Sequence, residues 1–77
     1  MREQLLALLE DIRPDVEFEK EKKLIDDSIL DSFDIISIAQ EINDTFAIDI
    51  NVEDLEPDNF NTVDAMIELI EKLQAEG

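Results

Sequence analysis

The sequence predicts an all-α fold, a small bundle of three main helices plus one short helix, with a long loop between the first two. Three observations predict it. Apolar residues recur at helical spacing in three separate stretches, which is the pattern of helices that each bury one face. The one alternating run, Ile48, Ile50 and Val52, has no second run to pair with, so a sheet is rejected. Finally, 77 residues with 44% hydrophobic content suffice for one modest core and no more. A single domain over residues 1–77 is therefore expected.

The first element, α1, is expected over residues 2–13, where Met1, Leu5, Leu8, Leu9 and Ile12 recur on one face. Pro14 closes it, because the residue before a proline is pushed out of the α region. Residues 14–30, "PDVEFEKEKKLIDDSIL", hold no sustained period and form the loop. So long a loop is unusual in a compact domain and points to function, and its apolar residues, Val16, Phe18, Leu24, Ile25, Ile29 and Leu30, are expected to pin it to the bundle.

Helix α2 is expected over residues 31–47, with Ile35, Ile38, Ile42 and Phe46 on one face and Ala39 between them. The short helix, α3, belongs within residues 51–60, where Asn51 can cap one turn and Pro57 can begin another. Asn61 or Thr62 then caps α4, expected over residues 62–75 with Val63, Met66, Ile67, Ile70 and Leu73 as its stripe and Gly77 ending the chain.

Composition excludes several classes of function. Without Cys there are no disulfides or thiolate metal sites, and without His the usual general base is missing. No enzyme activity, no catalytic residue and no metal site are expected. The 22 acidic residues against 6 basic ones give a net charge of −16, and from Leu24 to Glu71 there are 14 acids and no base. Such a surface repels nucleic acid and anionic headgroups and suits partners with basic patches; a solvated acidic face kept for solubility is the plainer reading. Asp49, Asn51 and Glu53 alternate as a calcium loop begins, but that register places Asp54 where glycine is needed and Phe60 where the bidentate glutamate belongs. The N-terminal "MREQLLALLEDIR" is broken by charge, unlike a signal peptide, and no run is long enough for a membrane span. A soluble, cytoplasmic monomer without membrane insertion is the expectation.

The residues that carry chemistry lie at the start of α2, in "ILDSFDII". Asp31 can cap the helix and Asp34 suits its positive end, which leaves Ser32 between them unexplained. One reading makes it a kinase acceptor, given the acid downstream. Phe33 and Ile36 fall off the buried stripe, so they form either an exposed apolar patch or a further part of the core.

Asp31-Ser32-Phe33, in a small acidic helical chain after a long loop, resembles the attachment motif of acyl and peptidyl carrier proteins, Asp-Ser followed by Leu, Met or Phe. The similarity covers nearly the whole chain. Within that family "LIDDSILDSFDI" looks especially like carriers reading Asp-Gly-Leu-Leu-Asp-Ser, among them stand-alone D-alanyl carriers. The segment "VEDLEPDNFNT" resembles the D-alanyl pattern of an aromatic residue and Asn-Thr ahead of the last helix, with Phe60 where that group has Trp.

The resemblance implies an acyl-carrier-like bundle in which Ser32 bears 4′-phosphopantetheine. A phosphopantetheinyl transferase would transfer it from coenzyme A, itself supplying the Mg²⁺ and the base. The arm's thiol would carry an acyl or aminoacyl group as a thioester between enzymes. Partners implied are an acyl or aminoacyl ligase or adenylating enzyme, and acyltransferases or synthases with basic docking surfaces. They would meet Asp31, Phe33, Asp34, Ile36, Glu41 and Asp44.

Two departures stand out. Ser37 and Asn43 occupy positions where many fatty-acid carriers place Glu, which shifts the expectation toward a ligase or adenylating enzyme. Ser28 stands where related carriers often have Gly, a cost if that position needs a positive φ. Cargo stays open among fatty-acid, polyketide, nonribosomal peptide and D-alanylation chemistry, as does whether it is sheltered near Ile42, Ile50 and Leu55. The reading from a different class is an acidic helical adaptor that binds a basic protein and never carries the arm.

Overall fold

The computed structural model describes residues 1–76; Gly77, read above as the end of the chain, lies outside them. Four helices follow one another: α1 is Arg2–Ile12, α2 is Ser32–Phe46, α3 is Pro57–Phe60 and α4 is Val63–Glu76, with a 3₁₀ turn at Val52–Asp54 ahead of α3. The described residues contain no strand, and the all-α class is what their apolar spacing encodes. Helix α1 packs against both α2 and α4, and α3 packs against α4.

Each helix contributes its stripe to one core. Leu5, Leu8 and Leu9 come from α1, Ile38, Ala39 and Ile42 from α2, and Val63, Met66, Leu69 and Ile70 from α4. Phe60 closes the floor, fully buried. Burying a side chain of this size contributes roughly 1.5–3 kcal/mol, so a core this small leaves little to spare against self-repulsion of the net charge. On α1 and α4 the apolar stripes differ in detail from the periodic reading. Met1 is exposed, and Leu69 is buried while Ile67 is only half-buried.

Element ends differ by local chemistry. Helix α1 stops at Ile12, because Pro14 drives Arg13 to φ −135°, ψ 81°, outside the helical region. Asp31 is an extended cap, not a helical residue, and Ala47 ends α2 in the left-handed conformation at φ 55°. The short third helix is two pieces, because Glu56 precedes Pro57 and is held extended at φ −94°, ψ 148°. Thr62 caps α4 by accepting from the Ala65 amide at 3.0 Å.

The long loop is part of the core. Phe18, Leu24 and Leu30 are all buried. Asn61 latches its second half: the Leu24 amide donates to the Asn61 carbonyl at 3.0 Å, and the Ile25 and Asp26 amides donate to Asn61 Oδ1 at 2.9 and 3.1 Å. The Leu30 amide then donates back to the Leu24 carbonyl at 2.9 Å, closing a turn in which Ser28 sits at φ 58°. The residues Phe60, Asn61 and Thr62 thus do three separate jobs: floor, latch and cap.

Candidate functional site

The site is built at the first turn of α2. The Asp34 amide donates to Asp31 Oδ1 at 2.9 Å and the Asp31 amide donates to Asp34 Oδ2 at 3.2 Å, a reciprocal capping box. This box fixes where the helix begins and so where Ser32 stands. Ser32 is exposed, and its hydroxyl joins none of the side-chain hydrogen bonds among the described residues. As a first helical residue it lies among amides that have no partner within the helix, at the positive end of the dipole.

Phe33 and Ile36 are exposed, 81% and 48%, which resolves the choice between surface and core. The outward face of α2 continues through Glu41 and Asp44, both exposed, at the spacing that keeps residues on one side of a helix. Asp31 is also exposed, at the helix's tip. Asp34 departs from the expectation of an acid offered to a partner. Its side chain is only 16% exposed and pairs with Arg13, whose Nη1 lies 2.5 Å from Asp34 Oδ2.

A cleft of about 170 Å³ adjoins the serine, lined by Ser32, Ile35, Ile36 and Leu55. Ile42 lies in the sealed core, and Ile50 is half-buried outside this lining. Two larger surface depressions, about 400 and 410 Å³, lie away from Ser32 and are lined by charged or polar and apolar residues in about equal measure. Position beside the exposed Ser32, not volume, singles out the smaller one.

Electrostatics divide the molecule. Asp15, bonded through both oxygens to Arg13, is held below its ordinary carboxylate range by that hydrogen bond, and Asp64 is held below its own by Arg2. The Arg13 guanidinium is correspondingly raised, first by Asp15 and then by Asp34. Among the described residues no group of three or more acids is placed to hold a metal ion, and no helix is long and apolar enough to cross a membrane.

Residues 3–70 match the family model for the phosphopantetheine attachment site, and the chain belongs to this family of acyl and peptidyl carrier domains. No curated protein and no solved structure matches it at a significant level. Its role is that of a phosphopantetheine carrier, with 4′-phosphopantetheine as the covalently attached cofactor. Such domains are generally non-catalytic and work with a phosphopantetheinyl transferase and with synthase or ligase enzymes.

The first turn of α2 fits that group: a free hydroxyl, open amides and positive dipole for a phosphodiester, and an apolar cleft alongside. Sequence reasoning missed Arg13 and the latch made by Asn61; Leu55, named as a residue near which cargo could be sheltered, lines the cleft beside Ser32. Arg13 is the one base between Arg2 and Lys20, a signal of isolation that names no partner.

Proposed function

We propose that Ser32 is the attachment residue and that the chain carries an acyl or aminoacyl group as a thioester, delivering it between enzymes. The observation that carries this is the free, exposed hydroxyl at the first turn of α2, in a chain whose family is defined by such an attachment site. When bound, the arm supplies the thiol that the polypeptide lacks. During attachment Ser32 Oγ gives its proton to a base on the transferase, forms the bond to phosphorus, and displaces adenosine 3′,5′-bisphosphate from coenzyme A.

The rest of the chain orients and presents that hydroxyl. Phe33 and Ile36 offer an apolar contact beside it, while Asp31, Glu41 and Asp44 offer charge to a basic enzyme surface. A carrier must leave one enzyme to serve the next, which favours a small interface and attraction that salt weakens. Asn43 supports a partner other than a fatty-acid synthase. Its Oδ1 accepts the Ile50 amide at 2.9 Å, so the position serves the chain's own turn instead of offering a docking charge. A ligase or adenylating enzyme is the proposed loading partner.

The test is incubation with coenzyme A and a broad-specificity phosphopantetheinyl transferase, followed by intact-mass measurement. Wild type is expected to gain the mass of one phosphopantetheine and Ser32→Ala none. An unchanged wild-type mass would favour the acidic adaptor, and equal labelling of both would move the arm to another residue.

A further inference from the structure

Arg13 makes contacts that a surface arginine does not need. Its Nε and Nη2 donate to Asp15 at 3.1 and 3.0 Å, which fixes the plane of the guanidinium. The remaining Nη1 reaches across the fold, donating to the Ile29 carbonyl at 3.2 Å and to Asp34 Oδ2 at 2.5 Å. That same Asp34 oxygen accepts the Asp31 amide in the capping box. One side chain at the end of α1 therefore touches the last stretch of the long loop and the first turn of α2.

We infer that Arg13 is a positioning residue for the reaction at Ser32, holding the Asp31–Ser32 turn in place through Asp34 and the Ile29 carbonyl. The inference rests on the reading of Ser32 as the attachment residue. Three features support it. The pair is partly buried, 29% and 16% exposed, so solvent screens it less than the Arg2 contacts to Asp64 and Glu19. The fork geometry suits arginine, since lysine places one charge but cannot serve Asp15 and the two cross-fold acceptors together. The net also joins two segments 21 residues apart, so local helix chemistry alone cannot replace it.

Small displacements of a reacting group slow catalysis steeply. The test compares wild type, Arg13→Gln, Arg13→Lys and Arg2→Gln as substrates of the transferase with coenzyme A, each checked for folding by circular dichroism. Arg13→Gln is expected to lower kcat/KM about tenfold, with most of the loss in kcat because the docking face of α2 is intact. Arg13→Lys recovers part of the rate, and Arg2→Gln stays at the wild-type value. Amide exchange read by NMR is expected to quicken at Asp31 and Asp34 in Arg13→Gln and not at Ile38 or Ile42.

A wild-type rate and unchanged exchange for Arg13→Gln would overturn the inference. So would an equal loss in Arg2→Gln, which would make the effect one of general stability. If Arg13→Gln does not fold, Arg13→Lys decides by the same comparison. Failure of the underlying reading looks different: wild type is then unmodified, or Ser32→Ala is modified as well.

Discussion

Residues 14–30 and 47–56 are the two irregular connections that flank α2, and they are held in opposite ways. The first is longer, yet it buries Phe18, Leu24 and Leu30 and is tied by Asn61 from a distant part of the chain and by Arg13, at its own start, to the Ile29 carbonyl at its end. The second contains no buried residue, leaves Val52 86% exposed, and takes its side-chain bonds from near neighbours, Asn43 and Asn59. Length is therefore a poor guide to rigidity. Non-local burial and bonding are expected to make the loop before Ser32 costlier to open than the segment bearing Leu55, which also lines the cleft beside Ser32. On that expectation the hydroxyl stands on the firmer side of the cleft.

The comparison breaks most easily at its largest effect. Leu24→Ala is expected to cost about 2–5 kcal/mol in urea unfolding, as for a helix core residue, whereas Val52→Ala should stay within about 0.5 kcal/mol. Similar costs for the two would mean the loops are held alike.

Removing the latch gives the next effect. Asn61→Ala leaves the Ile25 and Asp26 amides without their acceptor and should lower stability by about 1–3 kcal/mol. Hydrogen exchange should quicken at those two amides and not at Ile50, whose acceptor is Asn43. Faster exchange at Ile50 would show that the two connections open together.

The smallest effect sharpens the picture from inside the firm loop. Ser28 is held at φ 58°, where a residue with a Cβ carries a steric penalty, so Ser28→Gly should raise stability by up to about 1 kcal/mol. A loss instead would mean that the serine side chain holds the turn.

These contrasts also mark what the sequence made legible. The all-α class and the helix faces follow from periodicity, because repeating apolar contacts on one side of a helix are a local property. Phe33 and Ile36 were singled out the same way, since they fall off that stripe, and Ser32 because it stands unexplained between two capping aspartates in a motif resembling that of the carriers. The cross-fold contacts of Arg13 and Asn61 were not, because their partners lie at separations that no spacing rule connects. Asp34 shows the limit most clearly, since its sequence context suggests a surface acid and the fold turns it toward Arg13.

By itself the sequence determined that the chain is helical, acidic, without Cys or His, and built around an aspartate-capped serine, all properties of composition and short-range order. Tertiary structure alone decided how firmly that serine is held, which acids face solvent and where a cleft opens. The physical reason is that a hydrogen bond or ion pair across 21 or 36 residues exists only after the core has brought its ends together.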